Sequence, residues 1–439
     1  MSDSRTGAYA AKLSRLIQAE TISQDHQNDK TVFYQFHNLL RDMFPTLFQV
    51  CRYEDFDGSF LLHWKGADSS APILLMNHHD VVEAPGDWKY APFAGTVAEG
   101  KLWGRGALDT KGGLWAMLQA AEELASKGFV PRHDTYFLST CDEEKGGSGA
   151  NRISTVLLER GFRFSMVLDE GGMILHEPIS GAKGTFAMVG LGEKGCADLK
   201  FIARSSGGHA STPGKNTPLV RLGKFMAAAE KQPLFPSQIS PTIHAMFACL
   251  STSMSGPMKF ILGHSRLFGP LLVKVMPAVS NAAGAMLKTT LAFTMASGSQ
   301  GANVLPQEAW VIGNMRYSHH QGSRASIDAV TALADKFGLE TVVLEPGFDS
   351  PLSDHHSEAF QLVERAVDTV FPGVKTSPYV MTGASDSRYL SRVCDNCLRF
   401  TPFLIDNTQL DSIHGINENI DLSALAPAVD FYRYILTEA

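Results

Sequence analysis

Three short apolar runs that each lead straight into acidic residues constrain this chain more than any other feature. Ile73-Leu-Leu-Met76 leads into Asn-His-His-Asp-Val-Val, Tyr136-Phe-Leu-Ser-Thr140 into Cys-Asp-Glu-Glu, and Ser165-Met-Val-Leu168 into Asp-Glu-Gly-Gly. Runs this short, bounded by polar clusters, read as buried strands. Helical patterns lie between them, at Leu114 to Leu124 and around Ile153 to Leu158. Strand and helix therefore alternate as in a parallel α/β sheet. Such sheets bind their ligands beyond the carboxyl ends of the strands, which is where these acidic clusters stand.

After Leu191 the texture changes. Cys196 to Ala203 alternates like a half-exposed strand, the turn-rich SSGGHASTPGKNTP follows, and a helix is predicted from about Leu219 to Glu230. Strands at Thr290–Met295, Ala309–Tyr317 and Glu340–Leu344, with a helix at Ala325–Phe337, give the order of a small antiparallel sheet with helices on one face. From Pro351 helix and strand alternate again. The expected fold is α/β, with a mostly parallel-sheet catalytic domain of residues 1–190 and 351–439. An α+β ferredoxin-like lid or dimerisation domain, residues 191–350, interrupts it. An extra helical insertion at about 232–288 carries Met254, Met258, Met276 and Met286, which read as lid core or subunit contact rather than an acyl-chain groove.

Composition narrows the function. With 44% hydrophobic and 19% charged residues the chain can bury a core and is not of a disordered class. A net charge of −7 leaves no electrostatic footprint for nucleic acid or membrane, so the expected partner is a small molecule. The most apolar stretch, Phe260 to Phe293, is broken by His264, Arg266, Lys274, Pro277 and Lys288 and falls short of a membrane span. The first residues contain no apolar stretch of signal-peptide length, and a cytoplasmic location is expected. Six cysteines are too sparse for a disulfide scaffold, and Cys394 and Cys397 read as structural thiols.

The chemistry gathers at the strand ends. In His78-His79-Asp80 residues 78 and 80 share a face, so an imidazole could hold a metal while the carboxylate orients it; a solvated strand end would look the same. His79, on the other face, reads as packing or as a hydrogen-bonding support behind the site. Asp109 lies in the glycine-rich GKLWGRGALDTKGG, Glu143 and Glu144 follow the second run, Asp169 follows the third, and His414 stands in SIHGINE. Carboxylates buried side by side repel one another, so this many at one sheet edge suggest bound metal. Gly190-Leu-Gly-Glu-Lys-Gly195 fits a dinucleotide fingerprint, but the strand-like residues after it argue against that use. His26, His37, His133, His176, His319, His320, His355 and His356 read as surface or structural.

The series NHHDVV, GRGALDTKGG, CDEEKGGSGA, LDEGG, GEKG, GGHASTP, NVLP with NMR, and SIHGINE resembles the di-zinc metallopeptidases that include carboxypeptidase S, aminoacylase, carboxypeptidase G and succinyl-diaminopimelate desuccinylase. DEGG, Asn-Met-Arg and SDSR are most similar to the carboxypeptidase S branch, which also contains N-acyl amino acid hydrolases. The resemblance implies that Asp109 bridges two zinc ions, with His78 and Asp169 on one and Glu144 and His414 on the other; cobalt or manganese would suit the same donors. Two zinc ions against three carboxylates leave one net positive charge, enough to lower the pKa of a bridging water towards ~7. It further implies that Glu143 is the general base and that Asp80 holds the His78 imidazole. In the lid, His209 would reach a partner subunit's site and Asn303 and Arg316 would hold the substrate carbonyl and carboxylate. Ser385 would add a carboxylate contact. A homodimer follows, unless the insertion replaces its contacts. The expected activity is hydrolysis of an amide bond beside a free carboxylate, in short peptides or alternatively in N-acyl amino acids. A non-catalytic binding protein on this scaffold is the other class considered, and the complete ligand set argues against it.

Overall fold

A computed structural model describes residues 4–24, 29–279, 281–345 and 347–439; His26 lies outside them. The central sheet has eight strands. Edge to edge they are Cys51–Phe56, Ser59–Trp64, His133–Ser139, Asp68–Met76, Met166–His176, Cys397–Ile405, Thr185–Glu193 and Lys375–Met381. The four in the middle are mutually parallel. An antiparallel hairpin extends one side, and the last two strands, parallel to each other, run against the four in the middle. The middle strands are apolar on both faces because both faces are covered. Leu75, Phe137 and Leu168 point into one core with Trp115 and Leu118 of the helix Lys111–Ala125, while Leu74, Leu138 and Val167 point into another with Ile153 and Leu157.

The third apolar run does not end at Leu168. Its strand continues to His176, so Asp169 and Glu170 lie inside it and point to opposite faces.

A second sheet, ordered Thr290–Ser297, Glu308–Tyr317, Gly195–Arg204 and Glu340–Glu345, is antiparallel throughout. The helices Pro218–Lys231 and Gly322–Asp335 cover it through Leu222, Phe225, Val330 and Leu333, which is ferredoxin-like connectivity. The chain passes between the two sheets at Glu193-Lys194-Gly195, with strand on both sides of the would-be dinucleotide fingerprint.

The insertion forms the helices Pro241–Ser251, Gly256–Gly263, Ser265–Val279 and Asn281–Leu287. Its core is not that of the lid sheet. Ile243, Met246, Phe247, Leu250 and Met254 pack against Phe186, Met188 and Val380 on the last two strands of the central sheet, and Met258 is exposed.

Candidate active site

Asp109 is held between two imidazoles, one oxygen to each. His78 Nε2 stands 2.9 Å from its Oδ1 and His414 Nε2 3.2 Å from its Oδ2. His414 also meets Glu144 Oε2 at 3.0 Å. Ligand atoms of His78, Asp109 and Glu144 all lie within 4.8 Å of one another.

Local structure explains this convergence. The strand Asp68–Met76 ends just before His78, whose Nδ1 lies 2.9 Å from the Asp80 carbonyl oxygen and 3.3 Å from its carboxylate. That fixes the ring and leaves Nε2 for the site. Asp80 also accepts hydrogen bonds from the Glu143 and Glu144 amides at 3.2 and 3.1 Å, joining the ends of two strands. The Asp109 loop is clamped by Glu418, which accepts from the Gly106, Leu108 and Asp109 amides and from Arg105 Nη1 at 2.7 Å. Arg105 also donates to the Gly415 carbonyl, tying this loop to that of His414. Gly112 opens the next helix so close to the loop that a Cβ would lie 2.1 Å from the Ala107 carbonyl oxygen.

The electrostatics are those of a cation site. Burial works against the charge on Asp109, yet hydrogen bonds from His414 and His78 hold its carboxyl well below the usual range. Hydrogen bonds to Asp109 and Glu144 raise His414 to about 10, and His78 is raised by Asp109 and Asp80 despite its burial. Burial pushes Glu143 and Glu170 far up, helped by the carboxylates around them. Glu144 Oε1 is buried without a hydrogen-bond partner. Hard oxygen and imidazole donors packed this closely, one oxygen unpaired, fit divalent metal ions.

A cavity of about 880 Å³ opens on this cluster, lined by Asp109, Glu143, Glu144, Glu170 and His414, by the cations Lys145, Lys194, Arg316 and Arg388, and by apolar Met173, Met381, Phe348 and Ile413. His78, Asp80, Asp109, Glu143, Glu144, His414 and Arg316 are thus brought together at the cavity or directly behind it. Four residues are not: Ser385, His209, Asn303 and Asp169. Ser385 is fully buried, with its amide and hydroxyl both on Glu193 Oε2 at 3.0 and 2.8 Å. Its hydroxyl serves a network that also holds the buried Arg399 rather than a substrate. His209 and Asn303 lie outside the cavity lining and are exposed, His209 at the end of a short strand and Asn303 in the turn before its partner strand Val304–Leu305, where the Ala210 amide donates to the Asn303 carbonyl.

Asp169 also departs from expectation. Its two oxygens accept from the backbone amides of Glu170 and Ser387, at 2.8 Å each, and the residue is 1% exposed. The acid that lines the cavity is Glu170. The physical reason is the alternation of a continuing strand: taking the run to stop at Leu168 made its first acid look like the one at the edge. Glu170, Arg388, Lys194 and Glu418 were missed as functional residues although each sits inside a quoted motif, LDEGG, SDSR, GEKG and SIHGINE. His79, by contrast, packs as expected, stacked on Phe36 and hydrogen-bonded to Ser139.

Residues 74–438 match the family model described as peptidase family M20/M25/M40. The chain belongs to this family. Probable carboxypeptidase S-like 2 of Dictyostelium discoideum is 30% identical to it over 442 residues, covering 97% of this chain and 84% of that protein. The N-fatty-acyl-amino acid synthase/hydrolase PM20D1 of Bos taurus is 32% identical over 434 residues, 97% and 86% of the two chains. In fold it is similar to the M20 family metallo-carboxypeptidase Sso-CP2 from Sulfolobus solfataricus, with a TM-score of 0.72 at 16% identity over 98% of both chains. As an M20 member the protein is a metal-dependent hydrolase. No described helix is long and apolar enough to cross a membrane.

Proposed function

We propose that the protein hydrolyses an amide bond adjacent to a free carboxylate, as a carboxypeptidase or dipeptidase acting on short peptides. The observation that carries this reading is the cavity itself, where a carboxylate–imidazole cluster and the cationic residues Arg316, Arg388, Lys194 and Lys145 share one wall-bounded space. The cluster suits the metal-assisted step, and a guanidinium suits the substrate carboxylate by paired hydrogen bonds. His78, Asp109, Glu144, His414 and, in place of Asp169, Glu170 would hold two divalent ions, zinc with cobalt or manganese as alternatives. When bound, these ions polarise the amide carbonyl and acidify the attacking water. Glu143, at the cavity wall and free of direct ligation, takes the proton from that water and passes it to the departing nitrogen. Its raised pKa makes it a stronger base for taking that proton, and Asp80 holds its backbone in place.

A second reading, hydrolysis of N-acyl amino acids, is favoured by the apolar part of the lining, Met173, Met381, Phe348 and Ile413, which suits an acyl chain. The exposed pair His209 and Asn303 supports a dimer in which they complete the partner's cavity. A panel of dipeptides and N-acyl amino acids of graded chain length, run with defined metals, separates the two readings by rank order of kcat/KM. Full activity of a metal-stripped sample with chelator present would overturn both.

A further inference from the structure

The net charge of −7 conceals a sharp local imbalance. From Lys231 to Gln307 the chain contains no aspartate or glutamate, so all 45 acidic residues lie elsewhere, while Lys231, Lys259, Arg266, Lys274 and Lys288 fall within that span. The helical insertion sits in the middle of it. On the helix Ser265–Val279, Leu267, Leu271 and Val275 are 73%, 49% and 45% exposed. Their i, i+4, i+8 spacing places them in one stripe. The preceding helix adds Met258 and Phe260, and the Phe260 ring meets Phe268 at 5.7 Å, which makes the apolar surface continuous across both helices. Arg266 and Lys274 are exposed on the same helix, and Lys259 on the preceding one.

Burial of the protein's own core does not explain this stripe. The same helix already contributes Leu272 to the core against the central sheet, and Leu267, Leu271 and Val275 face away from it. Exposed apolar side chains in a row, set among cations and without a single anion nearby in sequence, are the make-up of a helix that lies in a lipid headgroup region. From this charge complementarity we infer that the insertion docks the protein on a bilayer surface carrying anionic phospholipid, with Leu267, Leu271, Val275 and Phe260 in the acyl boundary and Arg266, Lys259 and Lys274 on the headgroups. A second copy of the chain fits less well, because a two-fold contact through this stripe brings the cations of one copy against those of the other.

The position of the surface has a functional consequence. The helix that follows, Asn281–Leu287, is fastened to the cavity wall: Lys194 Nζ, which lines the cavity, donates to the Ala285 and Lys288 carbonyls at 3.0 and 2.9 Å. Docking there would set the active site close to a lipid phase. The inference does not depend on whether peptides or acyl amino acids are hydrolysed.

Flotation of the full chain with vesicles tests it without any substrate. Vesicles of phosphatidylcholine mixed with phosphatidylglycerol should carry the protein, pure phosphatidylcholine vesicles at least about tenfold less, and high salt should release it. The double variant Leu267→Ser/Leu271→Ser should lose flotation, and Lys274→Gln should weaken it about fivefold. Both variants should keep the thermal midpoint and the hydrolysis rate of a short soluble substrate. The proposal is overturned if the mixed vesicles carry nothing, or if both variants float like the parent protein. It is also overturned if sedimentation shows a self-association that the double variant loses, since a second copy would then cover the stripe.

Discussion

The carboxylate-rich end of the central sheet and the acid-free insertion beside it are opposite solutions to holding charge in one molecule. At the sheet end, carboxylates are buried or half-buried and several are tied to named partners: Asp109 between two imidazoles, Asp80 on the Glu143 and Glu144 amides, Glu418 on Arg105 and three backbone amides. In the insertion, Lys259, Arg266 and Lys274 are exposed beside exposed apolar side chains. Buried charge is costly without a partner, so it leaves closely spaced motifs in the sequence. Solvated charge needs no partner and is written only as a bias in composition. The first kind of region announces chemistry and the second a surface.

The comparison can be broken at its strongest point first. Glu143→Gln should lower kcat by about 10²- to 10⁴-fold while metal content, measured by elemental analysis, is retained; an unchanged kcat would remove Glu143 as the base. In the same assay Glu170→Gln should lose metal as well as activity, whereas Asp169→Asn should keep its metal, and the reverse pattern would restore Asp169 as a ligand.

The clamp behind the site comes next. Arg105 and Glu418 are both fully buried, so Arg105→Met leaves an uncompensated carboxylate and should cost about 3–5 kcal/mol by denaturant unfolding. Adding Glu418→Gln should recover part of that loss; no recovery would show that the pair does not act as a unit.

A smaller effect is expected at Lys194, whose pKa burial lowers to about 8, with the Arg316 and Lys288 charges contributing. Because the folded value lies below the unfolded one, the unfolded chain binds more protons between them. Stability from this group therefore rises with pH above about 8 and levels off as the unfolded lysine titrates. Thermal unfolding from pH 7.5 to 10 should show the parent gaining up to about 3 kcal/mol relative to Lys194→Met. Parallel curves would mean that the ammonium is not destabilised by its site. Smallest of all, Leu267→Ser should shift stability by no more than about 0.5 kcal/mol, as befits a side chain that is 73% exposed. A loss above 2 kcal/mol would show instead that the stripe belongs to the core.

Much of the site was legible because the chemistry demands it. His78, Asp80, Asp109, Glu143, Glu144 and His414 each stand where a strand or a glycine-rich loop ends, and such ends can be read from apolar runs and glycines. Asp169 against Glu170 was not legible in the same way. Choosing between adjacent acids requires knowing where a strand stops, and pairing with Cys397–Ile405 and Thr185–Glu193 carries this one on to His176. Ser385 looked available in GASDSR, yet the buried Glu193–Arg399 pair captures it from residues far away in sequence.

By itself, then, the sequence determined the α/β scaffold, the ferredoxin-like lid, and the inventory of metal-suited side chains, because alternation, apolar runs and motif spacing are local properties. Only the tertiary structure decided which of two neighbouring acids faces the cavity, that Arg388 and Lys194 join Arg316 there, and that the insertion packs on the central sheet with one apolar stripe left outside. These are questions of which side a chain presents after distant segments have paired with it, and no local pattern encodes that.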